Sequence, residues 1–330
     1  MLYLHGIGHF YPENVISNQF LEDLDIGTTE DWILERVGIH TRRTVLPLDY
    51  IKTTKNRDQR AASEAALYTN VQTGAAAARM AMERAGLKPE DIGLVISGSC
   101  TPDNLTPAES ATIAAELGIE GPCFDLNSAC SSFGMQIHFL GSMKPEATPP
   151  YILVVNPECL TRSVNYSDRS IAVLFGDASS AAILSARVPS NKVFLASYCD
   201  SKPSAWEKVS IPRMGYFQQD GNAVQRFAIH KTTESLRILK KSFPVNGDRF
   251  KFIGHQANLS MLNTVCDRAG ISPEHHWFNV ADYGNTGCSG APSVLSQHWD
   301  LLEPGQHVAI SLVGAGLTWT HMLLKIEENS

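Results

Sequence analysis

The most informative segment of this sequence reads Asp125-Leu126-Asn127-Ser128-Ala129-Cys130-Ser131-Ser132-Phe133-Gly134. Small residues surround one cysteine, and the segment lies between a predicted strand and a predicted helix. A thiol at that point lies at the positive end of the helix dipole, where the thiolate is favoured and its nucleophilicity rises. Because a lone cysteine is more often buried and inert, this segment needs partners elsewhere in the chain.

Two other polar segments provide such partners. Gly254-His255-Gln256-Ala257-Asn258 directly follows a predicted strand, so its histidine is well placed to face a cleft. Tyr283-Gly284-Asn285-Thr286-Gly287 can present an amide donor to a substrate carbonyl. Taken alone, His255 is a surface histidine and Asn285 an ordinary turn residue. Cysteine, histidine and asparagine in this chain order also occur in cysteine proteases, but the segment around Cys130 is not protease-like.

Strand and helix patterns alternate along the chain, which predicts an α/β protein. Thr106-Pro107-Ala108-Glu109 reads as a capping box at a helix start, and Gly86 as a helix stop. The predicted strands are 2–10, 92–97, 250–253, 308–313 and 318–327. The predicted helices are a short one capped by Ser17 or Asn18, then 28–36, 61–84, 106–117, 224–243 and one starting near Asn258.

A weak internal repeat suggests two similar halves. Leu174-Phe175-Gly176-Asp177 and Leu312-Val313-Gly314-Ala315 each read as a strand and a glycine turn before a second strand. Segment 186–217 has no clear periodicity and is the predicted linker. The domains are therefore predicted as 1–185, with the cysteine, and 186–330, with the histidine and asparagine.

Composition excludes several classes of protein. The 330 residues are 43% hydrophobic and 18% charged, so a large core can form and disorder is not expected. A net charge of −7 argues against nucleic-acid binding. Seven cysteines without a CxxC pair support neither a structural zinc site nor a disulfide framework. The sequence shows no signal peptide and no membrane span, so a reduced, cytoplasmic protein is expected.

These segments belong to a wider pattern, and the chain resembles β-ketoacyl-[acyl carrier protein] synthase III of the thiolase superfamily nearly end to end. The resemblance implies a five-layered αβαβα thiolase fold with two similar halves, and a homodimer. The matching segments are Asp31-Trp32-Ile33-x-x-Arg36-x-Gly38-Ile39-x-x-Arg42, Asp125 to Cys130, Ser167-Asp168-Arg169 with Phe175-Gly176-Asp177, Gly221-Asn222, His255-Gln256-Ala257-Asn258, Gly284-Asn285-Thr286 and Gly314-x-Gly316-x-Thr318-Trp319.

The resemblance implies a reaction in two stages. Cys130 takes an acyl group from acyl-CoA, and malonyl-acyl carrier protein then loses CO₂ so that its enolate attacks the acyl-enzyme. His255 and Asn285 would hold the malonyl thioester oxygen. Backbone N–H groups of Cys130 and Ala315 would form the other oxyanion hole, although Ala315 stands where the family usually has glycine. No metal is implied, and coenzyme A enters only as the carrier of the substrate.

Binding roles also follow from the resemblance. Trp32 and Arg169 would stack on the two faces of the coenzyme A adenine, and Arg36 would meet its phosphates. Asn222 and Asn258 would lie along the pantetheine channel or just behind it.

Three departures from the family pattern affect these roles. Segment 45–70 is longer than in housekeeping members and is expected to be a surface elaboration, with a reshaped substrate entrance as the alternative. Leu105 or Thr106 stands where the dimer partner's phenylalanine caps the acyl pocket, so a longer or bulkier acyl group is expected.

The third departure concerns the carrier protein. Ser260 replaces an arginine that helps to dock the acidic carrier protein, which leaves Arg226 and Arg268 as the candidate docking cations.

Two other functions stay open at this point. A related acyltransferase would move the acyl group to a hydroxyl or amine without condensation, but such enzymes tend to lose the asparagine. A catalytically silent subunit would usually lack the cysteine or the histidine.

Overall fold

The computed structural model describes residues 1–213, 215–243 and 247–328. Its strands are β1 (Leu2–Phe10), β2 (Asn14–Ser17), β3 (Thr41–Thr44), β4 (Ile92–Ser97), β5 (Cys123–Asp125), β6 (Tyr151–Glu158), β7 (Ala178–Ser185), β8 (Lys192–Ser201), β9 (Val209–Ser210), β10 (Gln218–Gln219), β11 (Phe250–Gly254), β12 (His307–Gly314) and β13 (Thr318–Ile326). Its α-helices are α1 (Asn18–Asp23), α2 (Glu30–Val37), α3 (Leu48–Thr54), α4 (Gln59–Ala65), α5 (Asn70–Ala85), α6 (Glu109–Leu117), α7 (Ser132–Ser142), α8 (Arg169–Ala172), α9 (Gly221–Ser242), α10 (Leu259–Ala269), α11 (Val280–Tyr283) and α12 (Gly290–Gln297).

Nine strands form one mixed sheet in the order β11-β12-β13-β8-β1-β7-β6-β4-β5. The junction between the two ends of this sheet is short, because β1 and β8 pair only at Leu2 with Phe194 and at Tyr3 with Val193. On one side of the junction, β6, β7 and β1 run antiparallel and β4 lies parallel beside β6. On the other side, β12, β13 and β8 repeat the antiparallel set and β11 lies parallel beside β12.

The helices add three layers to the two halves of the sheet. Helices α5 and α6 cover the N-terminal half from outside, and α9 and α10 cover the C-terminal half. Helices α7 and α12 lie between the halves and pack against strands of both. On α7, Phe133, Ile137 and Leu140 recur at helical spacing and join one buried cluster with Ile96 and Ile310. The predicted αβαβα layering is thereby confirmed.

The predicted helix 61–84 is wrong in its first part. Two helices, α4 and α5, occupy this stretch, and the chain between them is extended at Ala66. Thr69 caps α5 in a capping box with Gln72, which outweighs the alanine-rich composition that favoured one continuous helix. The predicted end is correct, since Gly86 has a φ of 67° and closes the helix in the left-handed conformation.

The predicted capping box at 106–109 is also wrong. Ala108 is the N-cap residue of α6 and makes no side-chain cap. The Asp125 carboxylate replaces that cap from the neighbouring strand, since it accepts the N–H groups of Glu109 at 2.7 Å and Ser110 at 3.0 Å. A tertiary contact therefore supplies the cap that the local pattern predicted from Thr106.

Segment 186–217 is not a linker. It contains β8, which pairs with β13 along most of its length and with β1 at the junction of the sheet.

The predicted internal repeat, a strand and a glycine turn before a second strand, is correct only in the C-terminal half. Strand β12 directly precedes the Gly314 turn, whereas helix α8 and a loop precede Gly176 in the N-terminal half.

Within the described ranges, no helix combines the length and the apolar character that a membrane span requires.

Candidate active site

Cys130 lies in a tight turn between β5 and α7. Ala129 before it has a φ of 48°, in the left-handed region that side chains other than glycine rarely adopt. Serine hydroxyls hold the turn, since Ser132 Oγ donates to the Ala129 carbonyl at 2.7 Å and Ser131 Oγ to the Ser128 carbonyl at 2.7 Å. The small residues around the cysteine are thus explained by this turn, which directs the thiol to the N-terminal end of α7.

His255 follows β11 and is 7% exposed. The adjacent Gln256 is fully buried, and its Oε1 accepts the N–H groups of Asn279 at 3.0 Å and Val280 at 3.1 Å. This amide therefore fixes the loop that carries the histidine. The His255 ring is near enough to the Cys130 thiol to lower its pKa, while the buried Nδ1 of the ring has no partner among the residues described.

Asn285 lies between α11 and α12 and is also 7% exposed. Its backbone ties the two halves together, because its N–H donates to Leu174 at 2.8 Å and its carbonyl accepts from the N–H of Gly176 at 3.1 Å. Its side-chain Oδ1 accepts the N–H of Gly287 at 3.0 Å. With that oxygen engaged, the amide NH₂ is the end of the side chain left to donate to a ligand.

The turn between β12 and β13 presses directly on the cysteine turn. A Cβ added at Gly314 would lie 2.8 Å from the Ser131 nitrogen and 2.9 Å from the Ser128 carbonyl oxygen. Only glycine permits this approach. Ala315 follows it and is partly buried, so the two loops named for the second oxyanion hole lie against each other.

The environment of Cys130 favours its thiolate. The neighbouring Cys100 thiol, as a hydrogen-bond donor, and the His255 ring lower the pKa of Cys130 well below that of an ordinary thiol, although burial opposes them. A low pKa is what a nucleophile that attacks thioesters at neutral pH requires.

A buried carboxyl group below the site was not predicted from the sequence. Glu158 ends β6 and is fully buried, and burial raises its pKa to about 8. Its Oε1 accepts the backbone N–H of Cys100 at 2.5 Å and the thiol of Cys288 at 3.2 Å. The sequence could have pointed to this group only through its position. Cys100 follows one strand and Glu158 ends a parallel neighbour, and ligand-binding crevices of α/β sheets lie at the carboxyl ends of such strands.

The residues predicted to bind coenzyme A form a separate cluster. The Arg169 guanidinium lies 5.0 Å from the centroid of the Trp32 ring, and that of Arg36 lies 5.9 Å from it. A base between Trp32 and Arg169 needs about 7 Å, since each stacked face takes about 3.5 Å. Arg169, which donates to the Gly27 carbonyl, must therefore move before an adenine can enter between them.

The other predicted binding residues lie at or near helix starts and on helix surfaces. Asn258 caps α10, and its Oδ1 accepts the N–H of Met261 at 2.7 Å, so this oxygen has a structural role. Asn222 is exposed in the first turn of α9. Arg226 and Arg268 are exposed on α9 and α10, two helices that pack together.

A cavity of about 710 Å³ reaches Cys100, beside the nucleophile. Leu105 lines it and is 75% exposed, and Thr106 is exposed next to it. Helix α4, which lies inside segment 45–70, contributes Gln59 and Arg60 to the lining.

Segment 45–70 is also anchored inside the protein. Asn56 is fully buried, and its Nδ2 donates to three backbone carbonyls of the 161–164 loop. The expectation of a mere surface elaboration is therefore wrong for this part. The reshaped-entrance alternative fits better, because α4 borders the cavity.

In the parts of the chain that the structure covers, no group of three or more His, Cys, Asp or Glu residues is arranged to hold a metal ion.

Comparison with known proteins agrees with this architecture. The family model for 3-oxoacyl-[acyl-carrier-protein] synthase III matches residues 124–203, and the model for its C-terminal part matches residues 239–326. The β-ketoacyl-[acyl-carrier-protein] synthase III of Sulfurovum sp. (strain NBC37-1) is 30% identical over 97% of this chain and 94% of its own.

Solved structures give the same result. The 3-oxoacyl-[acyl-carrier-protein] synthase III of Aquifex aeolicus superposes with a TM-score of 0.87 at 27% identity, covering 98% of this chain and 100% of its own. The priming β-ketosynthase of the R1128 polyketide pathway superposes with a TM-score of 0.82 at 26% identity, covering 100% and 97%.

The layered architecture and these structures define a thiolase-fold enzyme that condenses acyl thioesters. Within that class, the chain belongs to the β-ketoacyl-[acyl-carrier-protein] synthase III family, and its reaction is the condensation of that type.

Proposed function

We propose that the protein moves an acyl group from acyl-CoA to Cys130 and condenses it with malonyl-acyl carrier protein to give a β-ketoacyl thioester. The observation that carries this proposal is the tight turn that places Cys130 just before the N-terminal end of α7, where the nearby His255 also lowers the pKa of its thiol. A thiolate attacks the acyl thioester, and the coenzyme A thiolate leaves without strong acid catalysis.

His255 and the Asn285 amide serve the second stage in this proposal. Decarboxylation of the malonyl group leaves negative charge on its thioester oxygen, which two preorganised donors stabilise. The orientation of the Asn285 side chain supports the role, because Gly287 already engages its carbonyl oxygen. The N–H groups of Cys130 and Ala315 are proposed to hold the oxyanion formed at the acyl carbon.

Coenzyme A is proposed to bind at Trp32, Arg36 and Arg169, with Asn222 and Asn258 towards the pantetheine. The cation–aromatic cluster supports this site, because it offers an aromatic face and two guanidinium groups to an adenine nucleotide. No resident cofactor is proposed, since coenzyme A leaves as the first product once its acyl group has moved to Cys130. Arg226 and Arg268 are proposed to dock the carrier protein.

The enzyme is proposed to be a homodimer with two similar halves per chain, divided near residue 185. Strand β5 supports a dimer, because it is the edge of the large sheet and Phe124 on it is 44% exposed. Leu105 and Thr106, a short distance along the chain, are proposed to cap the partner's acyl pocket. Cytoplasmic localisation is proposed because all seven cysteines are free, as in a reducing compartment.

The test is intact-protein mass spectrometry after incubation with a panel of acyl-CoAs of different chain lengths, followed by malonyl-acyl carrier protein. Wild type should gain an acyl group, release CO₂ and give a β-ketoacyl product. Cys130→Ala should gain nothing, whereas Cys199→Ala, which removes a partly exposed thiol elsewhere, should behave like wild type.

The outcomes separate the alternatives. An adduct that malonyl-acyl carrier protein cannot discharge would favour transfer to a hydroxyl or amine without condensation. No adduct from any donor would favour a silent subunit. A wide preference for acetyl-CoA would contradict the larger acyl group expected from Leu105 and Thr106.

A further inference from the structure

A buried acid joins the two halves of the molecule beneath the candidate site. Glu158 ends β6 and is fully buried. The Cys288 thiol donates to its Oε1 at 3.2 Å, and the same thiol lies 3.2 Å from the Gly98 carbonyl oxygen just after β4. Both acceptors belong to the N-terminal half, whereas Cys288 belongs to the C-terminal half. A thiol carries one hydrogen, so this cysteine is held between the ends of two strands.

Gly287 places the same acid against the segment that carries Asn285. A Cβ added at Gly287 would lie 2.7 Å from Glu158 Oε2, so any side chain there would displace the carboxyl group. The backbone N–H of Gly287 donates to Asn285 Oδ1 at 3.0 Å. This glycine therefore lies between the Glu158 carboxyl group and the Asn285 side chain.

A second bond fastens the turn 287–289 to the same strand. Ser289 is fully buried, and its Oγ donates to the Asn156 carbonyl on β6. The turn is thus attached to β6 at two points, through Ser289 and through the contact of Cys288 with Glu158. With both bonds in place, the position of the turn, and of the segment directly before it, is set by the end of β6.

The acid provides this support without a charge at neutral pH. Burial raises the pKa of Glu158 to about 8, and its Oε2 has no hydrogen-bond partner in the ranges that the structure describes. Its Oε1 accepts both the Cys288 thiol and the Cys100 backbone N–H, as the carbonyl oxygen of a neutral acid can. A glutamine has the same shape and keeps that acceptor, so it is a close substitute for the protonated acid.

We propose that Glu158 is a positioning residue for Asn285: through Cys288 and Gly287 it holds the turn that orients the Asn285 amide. The inference rests on the proposed role of Asn285 in condensation. It deepens that role, because it names the group of the other half that keeps the donor in place. Loss of the contact should therefore impair discharge of the acyl-enzyme and leave its formation intact.

The experiment measures both stages in single turnovers, first loading from acyl-CoA and then discharge by malonyl-acyl carrier protein. A small misplacement of a group at the reacting centre can cost up to about 10²-fold in rate. Cys288→Ala should therefore slow discharge by about 10–100-fold and leave loading close to the wild-type rate. Cys288→Ser, whose hydroxyl can still donate, and Glu158→Gln, whose amide oxygen can still accept, should keep most of the discharge rate.

Cys266→Ala is the matched control, because it removes another buried thiol of the C-terminal half, on α10. It should leave both stages unchanged. The inference would be overturned if Cys288→Ala slowed both stages equally, slowed neither, or slowed discharge no more than Cys266→Ala does. Equal losses in Cys288→Ala and Cys288→Ser would also oppose it. If Cys288→Ala does not fold, Cys288→Val, which fills the space without a donor, takes its place.

Crystal structures of wild type and the Cys288 variants test the contact without any substrate. The Asn285 amide should be displaced in Cys288→Ala and unmoved in Cys288→Ser. A displaced amide in a protein whose wild type malonyl-acyl carrier protein never discharges would support this inference and count against the proposed function alone. Normal condensation by wild type, with an unmoved amide in Cys288→Ala, would do the reverse.

Discussion

The two halves of the molecule share one strand topology but connect it differently. In the N-terminal half, residues 159–177 separate β6 from β7 and include α8 with Arg169. In the C-terminal half, three residues join β12 to β13, and Gly314 at the end of β12 presses on the cysteine turn. The same pair of antiparallel strands thus supports a long loop towards the proposed coenzyme A site and a short turn against the nucleophile.

The halves also differ in chemistry. The N-terminal half carries Cys130, Cys100 and the buried acid Glu158. The C-terminal half carries His255 and Asn285, which are both almost fully buried, and the Cys288 thiol that donates to Glu158. Because the proposed nucleophile and the proposed hydrogen-bond donors come from separate halves, substitutions should separate acyl transfer from condensation.

The largest expected effect comes from Asn285→Ala. It removes one donor to the developing enolate, so condensation should fall by about 10²–10³. Formation of the acyl adduct on Cys130 should stay close to the wild-type rate. Single-turnover measurements that follow acyl-CoA loading and then discharge by malonyl-acyl carrier protein would compare the two stages.

Asn191→Ala, which changes an exposed asparagine before β8, is the matched control and should leave both stages unchanged. An equal loss of loading and discharge in Asn285→Ala would show that the two halves do not divide the reaction.

The second effect concerns the buried acid of the N-terminal half. Glu158 has a folded-state pKa of about 8 against an ordinary value of 4.5, so between these values the unfolded state ionises while the folded state keeps its proton. The free energy of unfolding of wild type should therefore fall as pH rises from about 5 to 8. Glu158→Gln should remove this fall, a relative gain on the order of 3 kcal/mol at pH 8.

Urea denaturation across this pH range would measure the difference. Glu64→Gln, at an exposed glutamate on α4, should keep the wild-type pH dependence. Parallel pH profiles for wild type and Glu158→Gln would mean that Glu158 is already ionised in the folded protein.

The smallest effect tests the contact between the halves. Gly314→Ala should push the β12–β13 turn away from Ser131 and Ser128, at a cost of about 1–3 kcal/mol in the free energy of unfolding. Acyl transfer should slow as well, since the turn borders the nucleophile. Gly247→Ala is the matched control, because an added Cβ there meets no atom within 4 Å and, as at Gly314, the backbone is not in the left-handed region.

A loss of stability in Gly314→Ala no larger than that in Gly247→Ala would contradict a tight contact between the two turns.

Much of the fold was predictable where the pattern was local. Strand β1 matches its predicted bounds, and Ser17, Gly86 and Asn258 cap or end helices as expected. Predictions failed where a distant group decided the outcome. Asp125 caps α6 from another strand, and β8 appears in a segment without periodicity because its neighbours in the sheet supply its hydrogen bonds.

The site divides in the same way. Cys130, His255 and Asn285 were recognisable from their short motifs, and their roles stay predictions until the variants are measured. Cys100 and Glu158 have no motif, since a cysteine after one strand and a glutamate at the end of another become partners only when parallel strands place their carboxyl ends together.

The sequence by itself determined the family, the alternation of strands and helices and the segment that carries the nucleophile, because each depends on residues close together in the chain. Only the tertiary structure decided that the end of β4 packs against the cysteine turn and that the buried Glu158 carboxyl group bonds to both Cys100 and Cys288. Those relations join residues far apart in sequence, and burial then sets their protonation through the loss of water around the charged form.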